Sequence, residues 1–105
     1  MIDRLKAYSD AGADCLYAPG IKTKEEIAAV VKAVHPKPVN LLICASGLSL
    51  KEAADLGVRR ISVGGSLARS AWGGFMRAAK EMAEKGTFTE LTSGHSGGEL
   101  NKMFG

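Results

Sequence analysis

The sequence predicts an α/β fold in which three parallel strands alternate with helices and a helical tail follows. Three observations predict it. "DAGADCLYAPG" (10–20) lines up with "DLGVRRISVGG" (55–65), glycine on glycine and strand on strand, so a unit of helix, glycine, strand and turn is repeated. "VNLLICA" (39–45) is almost wholly apolar, the composition of a parallel strand covered on both faces by helices. Helix and strand signals alternate along the chain, which means parallel strands joined by right-handed crossovers.

The elements follow in order. Residues 2–11 carry Ile2, Leu5 and Tyr8 at helical spacing, and Gly12 ends that helix because a left-handed backbone costs glycine no Cβ clash. "DCLYA" (14–18) is a short buried strand ended by Pro19-Gly20. "TKEE" (23–26) has capping-box spacing, so the Thr23 oxygen accepts a helix N–H while Glu26 reaches back. That helix runs to Val34, where His35-Pro36-Lys37-Pro38 stops it, since proline lacks an N–H and restricts the residue before it. Residues 39–45 form the second strand, and Ser46-Gly47 turns the chain. "SLKE" (49–52) is a second capping box, opening a helix that runs to Leu56 and ends at Gly57. "VRRISV" (58–63) is the third strand, and a longer helix covers 67–85 before Gly86.

The tail differs in composition. "TFTEL" (87–91) suits one helical turn, with Thr87 and Glu90 at capping-box spacing. "TSGHSGG" (92–98) reads as a flexible linker, and "ELNKMF" (99–104) as a short amphipathic segment that docks elsewhere. The expected division is therefore a sheet-and-helix part over 1–91 and a linker with a docking helix over 92–105.

At 105 residues the chain is one domain's worth, and 46% apolar with 24% charged residues is ordinary for a globular protein. The 14 Lys+Arg against 11 Asp+Glu are spread without a basic block, which argues against a nucleic-acid partner. Apolar runs are strand-length, too short to span a membrane, and the N-terminus lacks an apolar signal region. Cys15 and Cys44 sit in apolar runs without metal spacing and read as free buried thiols, which fits the cytoplasm.

The strand count poses a difficulty. A (β/α)8 barrel needs eight strands and about 250 residues, and an open three-stranded parallel sheet leaves two edges unpaired. "AYSDAGADCLYAPGIKTKEEI", "PVNLL" before a turn, "LGVRRISVGGSLARSAWG", "GTF" and "ELNKMFG", in that order, resemble the isocitrate lyase and phosphoenolpyruvate mutase superfamily, and its phosphonomutase-like members above all. The resemblance implies the last part of a (β/α)8 TIM barrel: helix 5, strands and helices 6 to 8, and the tail. It implies an Mg²⁺-dependent enzyme acting on small 2-oxo or 2-hydroxy carboxylates. Such enzymes cleave or form C–C bonds, or move phosphorus to carbon. It also implies a homo-oligomer held through the 67–85 helix and the tail.

The resemblance places the metal-binding acids and a mobile Lys/Cys loop on earlier strands, so this chain is expected to carry no catalytic residue or metal ligand and to be inactive alone. Where lyases of the superfamily carry a Glu after the sixth strand, this chain has Pro19-Gly20. Where some carry Asn and Thr along the seventh, it has Leu42-Ile43-Cys44, with Asn40 earlier. The rival expectation is a self-associating structural module without activity.

Barrel chemistry sits on loops at the C-terminal ends of strands. That selects Pro19-Gly20, then Cys44, Ser46 and Gly47, then Gly64, Gly65 and Ser66. The last group has two readings. Its N–H groups, at a helix N-terminus, contact a carboxylate or phosphate, or it is a tight turn with Ser66 as N-cap. No P-loop lysine follows and no G-x-G-x-x-G is present, which favours the turn. Asn40 is expected to satisfy local backbone groups, and Arg59-Arg60 to lie on the surface or at an interface. Trp72, Phe75 and Met76 form an apolar helix stripe, read as core or subunit interface.

Overall fold

The computed structural model describes residues 1–43 and 47–105. The chain divides into two compact units, Met1–Gly64 and Gly65–Gly105. This boundary cuts at the third glycine turn.

The first unit contains α1 (Ile2–Asp10), β1 (Leu16–Tyr17), α2 (Lys24–Val34), β2 (Val39–Leu42), α3 (Leu50–Asp55) and β3 (Arg60–Ser62). The strands form one parallel sheet in the order β1-β2-β3. Leu16 is opposite Val39 and Tyr17 opposite Asn40, while Asn40, Leu41 and Leu42 face Arg60, Ile61 and Ser62. The ladder extends past the strand ends through Leu16 N to Pro38 O (2.9 Å) and Ile43 N to Ser62 O (2.8 Å).

Side chains alternate across a strand, so each register row belongs to one face. Leu16, Val39, Leu41 and Ile61 turn to the helices, where Leu5 of α1, Ile27, Val30 and Val34 of α2 and Ala53 of α3 complete the core. Leu16, Val39 and Leu41 keep only 1% of their surface exposed and Ile27 none. Burying such a side chain contributes roughly 1.5–3 kcal/mol, so this cluster is what holds the sheet to its helices.

Of the three expected capping boxes, those at Thr23 and Ser49 form; the one at Thr87 does not, because Phe88 takes the N-cap position there and no side chain caps it. Thr23 Oγ1 accepts from Glu26 N at 3.2 Å while Glu26 Oε2 accepts from Thr23 N at 3.1 Å. Ser49 Oγ accepts from Glu52 N at 3.2 Å while Glu52 Oε2 accepts from Ser49 N at 2.9 Å. Gly12 and Gly57 follow α1 and α3 at φ +99° and +93°, the left-handed region expected of helix-ending glycines. At Gly57 space adds a second constraint, because a Cβ there would lie 2.7 Å from Val31 Cγ1.

The second unit holds α4 (Ser66–Lys85), a 3₁₀ helix (Thr89–Ser93) and α5 (Gly97–Phe104). Gly86 caps α4 at φ +65°. The expected linker is shorter than its composition suggested. Thr92 and Ser93 belong to the 3₁₀ helix, and Gly97 and Gly98 to α5, because Ser96 caps α5 in a third box with Glu99. Thr92 Oγ1 donates to Thr89 O (2.7 Å) and Ser93 Oγ to Glu90 O (2.8 Å), which closes that turn. Among the described residues no helix is long and apolar enough to cross a membrane.

Candidate functional site

Parallel strands point the same way, so the loops after β1 and β2, and Gly64 after β3, gather at one end of the sheet. Gly20 (φ +95°), Gly47 (φ +63°) and Gly64 (φ +53°) turn the chain there. A Cβ on Gly64 would meet Leu42 Cδ1 at 3.5 Å, so the turn lies against the end of β2. Of the expected contact residues, Cys44 and Ser46 lie outside the described residues. Cys15 is free and only half-buried, rather than buried as expected.

The helix N-termini at this end are already satisfied by carboxylates. Glu26 accepts from the N–H of Lys22 (2.9 Å) as well as Thr23, and Glu52 from Ser49. Lys24, in the first turn of α2, donates to Glu52 Oε1 of α3 at 2.8 Å and ties the two helices together. The Lys24 ammonium and the Ser49 N–H and hydroxyl hold the Glu52 carboxyl down at about 2, and Glu52 in turn raises Lys24. An added anion would meet negative side chains at both of these helix starts, so they serve the fold.

The start of α4 differs. Ser66 is not its N-cap. Gly65 occupies that position at φ −84°, ψ 13°, and no side chain caps the helix. Ser66 already lies in the first turn, so its hydroxyl accepts from Arg69 Nη2 (3.0 Å), and its carbonyl accepts from Ser70 Oγ (3.0 Å). A guanidinium thus lies beside uncapped N–H groups, and both attract an anion.

Asn40 also differs from expectation, whereas Arg60 is exposed as expected. The Asn40 amide bonds side chains of the neighbouring strand rather than local backbone, because its register row faces away from the helices. Its Nδ2 donates to Ser62 Oγ (2.9 Å) and its Oδ1 accepts from Arg60 Nη1 (3.1 Å). Arg59 turns the other way and donates to the carbonyls of Ala54 and Val58.

Sequence reasoning missed Glu81. This residue of α4 is 9% exposed, and its carboxylate gathers the chain beyond Gly86. Oε1 accepts from Thr87 Oγ1 (2.7 Å), Thr89 N (3.1 Å) and Thr89 Oγ1, and Oε2 from Glu90 N (2.8 Å). The two threonine hydroxyls and the Glu90 N–H hold the carboxyl down at about 2. The available signal was a Glu one turn before a helix-ending glycine, followed by alternating threonines.

Among the described residues no three His, Cys, Asp or Glu side chains converge to hold a metal ion. The sequence matches the phosphoenolpyruvate phosphomutase family over residues 1–83. The chain belongs to the phosphoenolpyruvate mutase/isocitrate lyase superfamily. Three solved structures place it among superfamily members. It is 55% identical to a candidate lyase/mutase from Burkholderia cenocepacia, with TM-score 0.91, covering 98% of this chain and 37% of that one. It is 27% identical to oxaloacetate acetylhydrolase in complex with oxalate (TM-score 0.76, covering 92% of this chain and 33% of that one). It is 26% identical to 2,3-dimethylmalate lyase (TM-score 0.74, covering 83% and 32%). The chain therefore spans about a third of the length of these superfamily structures. No curated protein matches the sequence. The three parallel strands and their helices agree with a part of the superfamily's barrel.

Proposed function

We propose that these residues are the C-terminal part of a phosphonomutase or carbon–carbon lyase-type (β/α)8 enzyme acting on small 2-oxo or 2-hydroxy carboxylates, and that the chain alone is inactive. The observation that carries this reading is the coverage: 98% of this chain matches 37% of a relative at 55% identity. Two neighbours, an oxaloacetate acetylhydrolase and a 2,3-dimethylmalate lyase, support the carboxylate class. The reading includes Mg²⁺, which when bound polarises substrate oxygens as a Lewis acid. The described residues do not offer its ligands, so no step is assigned through it. What this chain contributes is the turn after β3 and the start of α4. There the uncapped N–H groups, with Arg69 beside them, meet a substrate carboxylate. The free thiol of Cys15 supports a reducing, cytoplasmic setting.

The apolar stripe of α4 supports a homo-oligomer. Trp72 and Phe75 stack edge to face at 5.3 Å yet remain 62% and 61% exposed, so the stripe is not core within this chain. We assign it, with Leu100, Met103 and Phe104 of α5, to contact with another copy.

The test replaces the matching segment of the Burkholderia relative with these 105 residues. The chimera is expected to turn over a 2-oxo or 2-hydroxy acid with Mg²⁺ and to lose that activity with EDTA, while the isolated chain gives none. EDTA-sensitive turnover by the isolated chain would overturn the reading.

A further inference from the structure

The sheet's second face carries a polar row that the helices do not cover. Tyr17, Asn40 and Arg60 stand side by side across β1, β2 and β3, with Leu42 and Ser62 in the next row. Asn40 is 3% exposed, while Arg60 and Tyr17 are open to solvent. Asn40 orients its neighbours, taking one guanidinium N–H of Arg60 and giving its own N–H to Ser62 Oγ. Arg60 carries five N–H donors, and its bond to Asn40 is its only side-chain hydrogen bond among the described residues. It makes no ion pair among them. The other side chains of the two rows are neutral.

We infer that Arg60, aimed by Asn40 and joined by the Ser62 hydroxyl, is a docking point for a carboxylate side chain on the inner face of the strands that close the barrel. This rests on the reading that the chain is one part of such a barrel. Closure would bury this face, and a guanidinium buried without an opposite charge is strongly destabilising. None of the side chains in these two rows supplies that charge. A second copy packed through the same face does not supply it either, because neither row carries an acidic side chain. The remaining strands must bring the acid, and a relative of which this chain covers 37% has the length to carry them. Arg60 opens β3, at the end of the sheet remote from the strand-end loops. Its role is therefore to fix strand register and closure.

The same chimera tests this, with Arg60→Gln and Arg60→Lys compared by thermal unfolding at about pH 7 and about pH 4, on either side of the carboxylate range. Arg60→Gln is expected to lower the midpoint by roughly 10 °C near neutrality, as for a broken buried pair. That deficit should shrink on acidification, as the stranded carboxylate takes up a proton. Arg60→Lys should recover most of it. An unchanged midpoint, a deficit independent of pH, or a Lys variant no better than Gln would overturn the docking inference and leave the barrel reading intact. A chimera without a cooperative transition, beside a parent relative that has one, would overturn both.

Discussion

At the scale of single residues, Gly57 is the most constrained position in the first unit. Its φ of +93° is poorly tolerated by any residue with a Cβ, and that Cβ would press into Val31. Gly57→Ala is expected to destabilise by about 1–2 kcal/mol from backbone strain and by roughly 1–3 kcal/mol more from overpacking. Gly12 shares the conformation at φ +99° but has nothing within 4 Å of its Cβ position. Gly12→Ala should therefore show the backbone part alone in urea unfolding. Adding Val31→Ala to Gly57→Ala should recover part of the overpacking, and additive losses would refute the clash. The sequence marked both glycines as helix ends, because φ is a local property. It did not mark the contact with Val31, which comes from a helix that ends more than twenty residues earlier in the chain. The same distinction explains Asn40 and Ser66. Each was assigned its local role, and each takes partners set by strand register or by the one-residue placement of a cap.

At the scale of elements, Glu81 joins α4 to the chain beyond it. Its carboxyl lies at about 2 in the folded chain against an ordinary 4.5. A depressed carboxyl contributes fully above the ordinary value, and that contribution is lost as pH falls from about 4.5 through about 2. Arg77, Lys80, Glu84, Lys85 and Glu90 surround the same recess, and Arg77 reaches Glu90 at 3.8 Å. The amides of Thr89 and Glu90 should stay protected from hydrogen exchange down to about pH 4 and lose protection below it. Glu81→Gln, which removes one acceptor oxygen and the charge, should expose both amides even at neutral pH. Unchanged protection would show that the 3₁₀ helix holds itself. The caps of α2 and α3 were legible because a capping box is written within four residues, although the same spacing at Thr87 forms no box and the box at Ser96 lay inside the expected linker. The clamp was not, because it depends on where Gly86 redirects the chain.

At the scale of the whole molecule, composition and alternation gave three parallel strands, and the resemblance supplied the superfamily to which the chain belongs. The expected strand-end loops were found at one end of the sheet for Gly47 and Gly64, while no carboxylate pair was expected in this stretch. The exposed stripe on α4 predicts association. Sedimentation of the chain should show a species larger than a monomer, and Trp72→Glu with Phe75→Glu should shift it to monomer without loss of helix signal. A strictly monomeric parent chain would refute the assignment of that stripe.

The polar row on the sheet bears on how this face meets water. A barrel filled only with aliphatic side chains would expose a continuous greasy surface wherever its wall was opened. Here the uncovered sheet face shows water the phenol of Tyr17 and the guanidinium of Arg60, while the Asn40 amide beneath them is held by Arg60 and Ser62. Such a face does not drive one sheet onto another as a purely aliphatic one would.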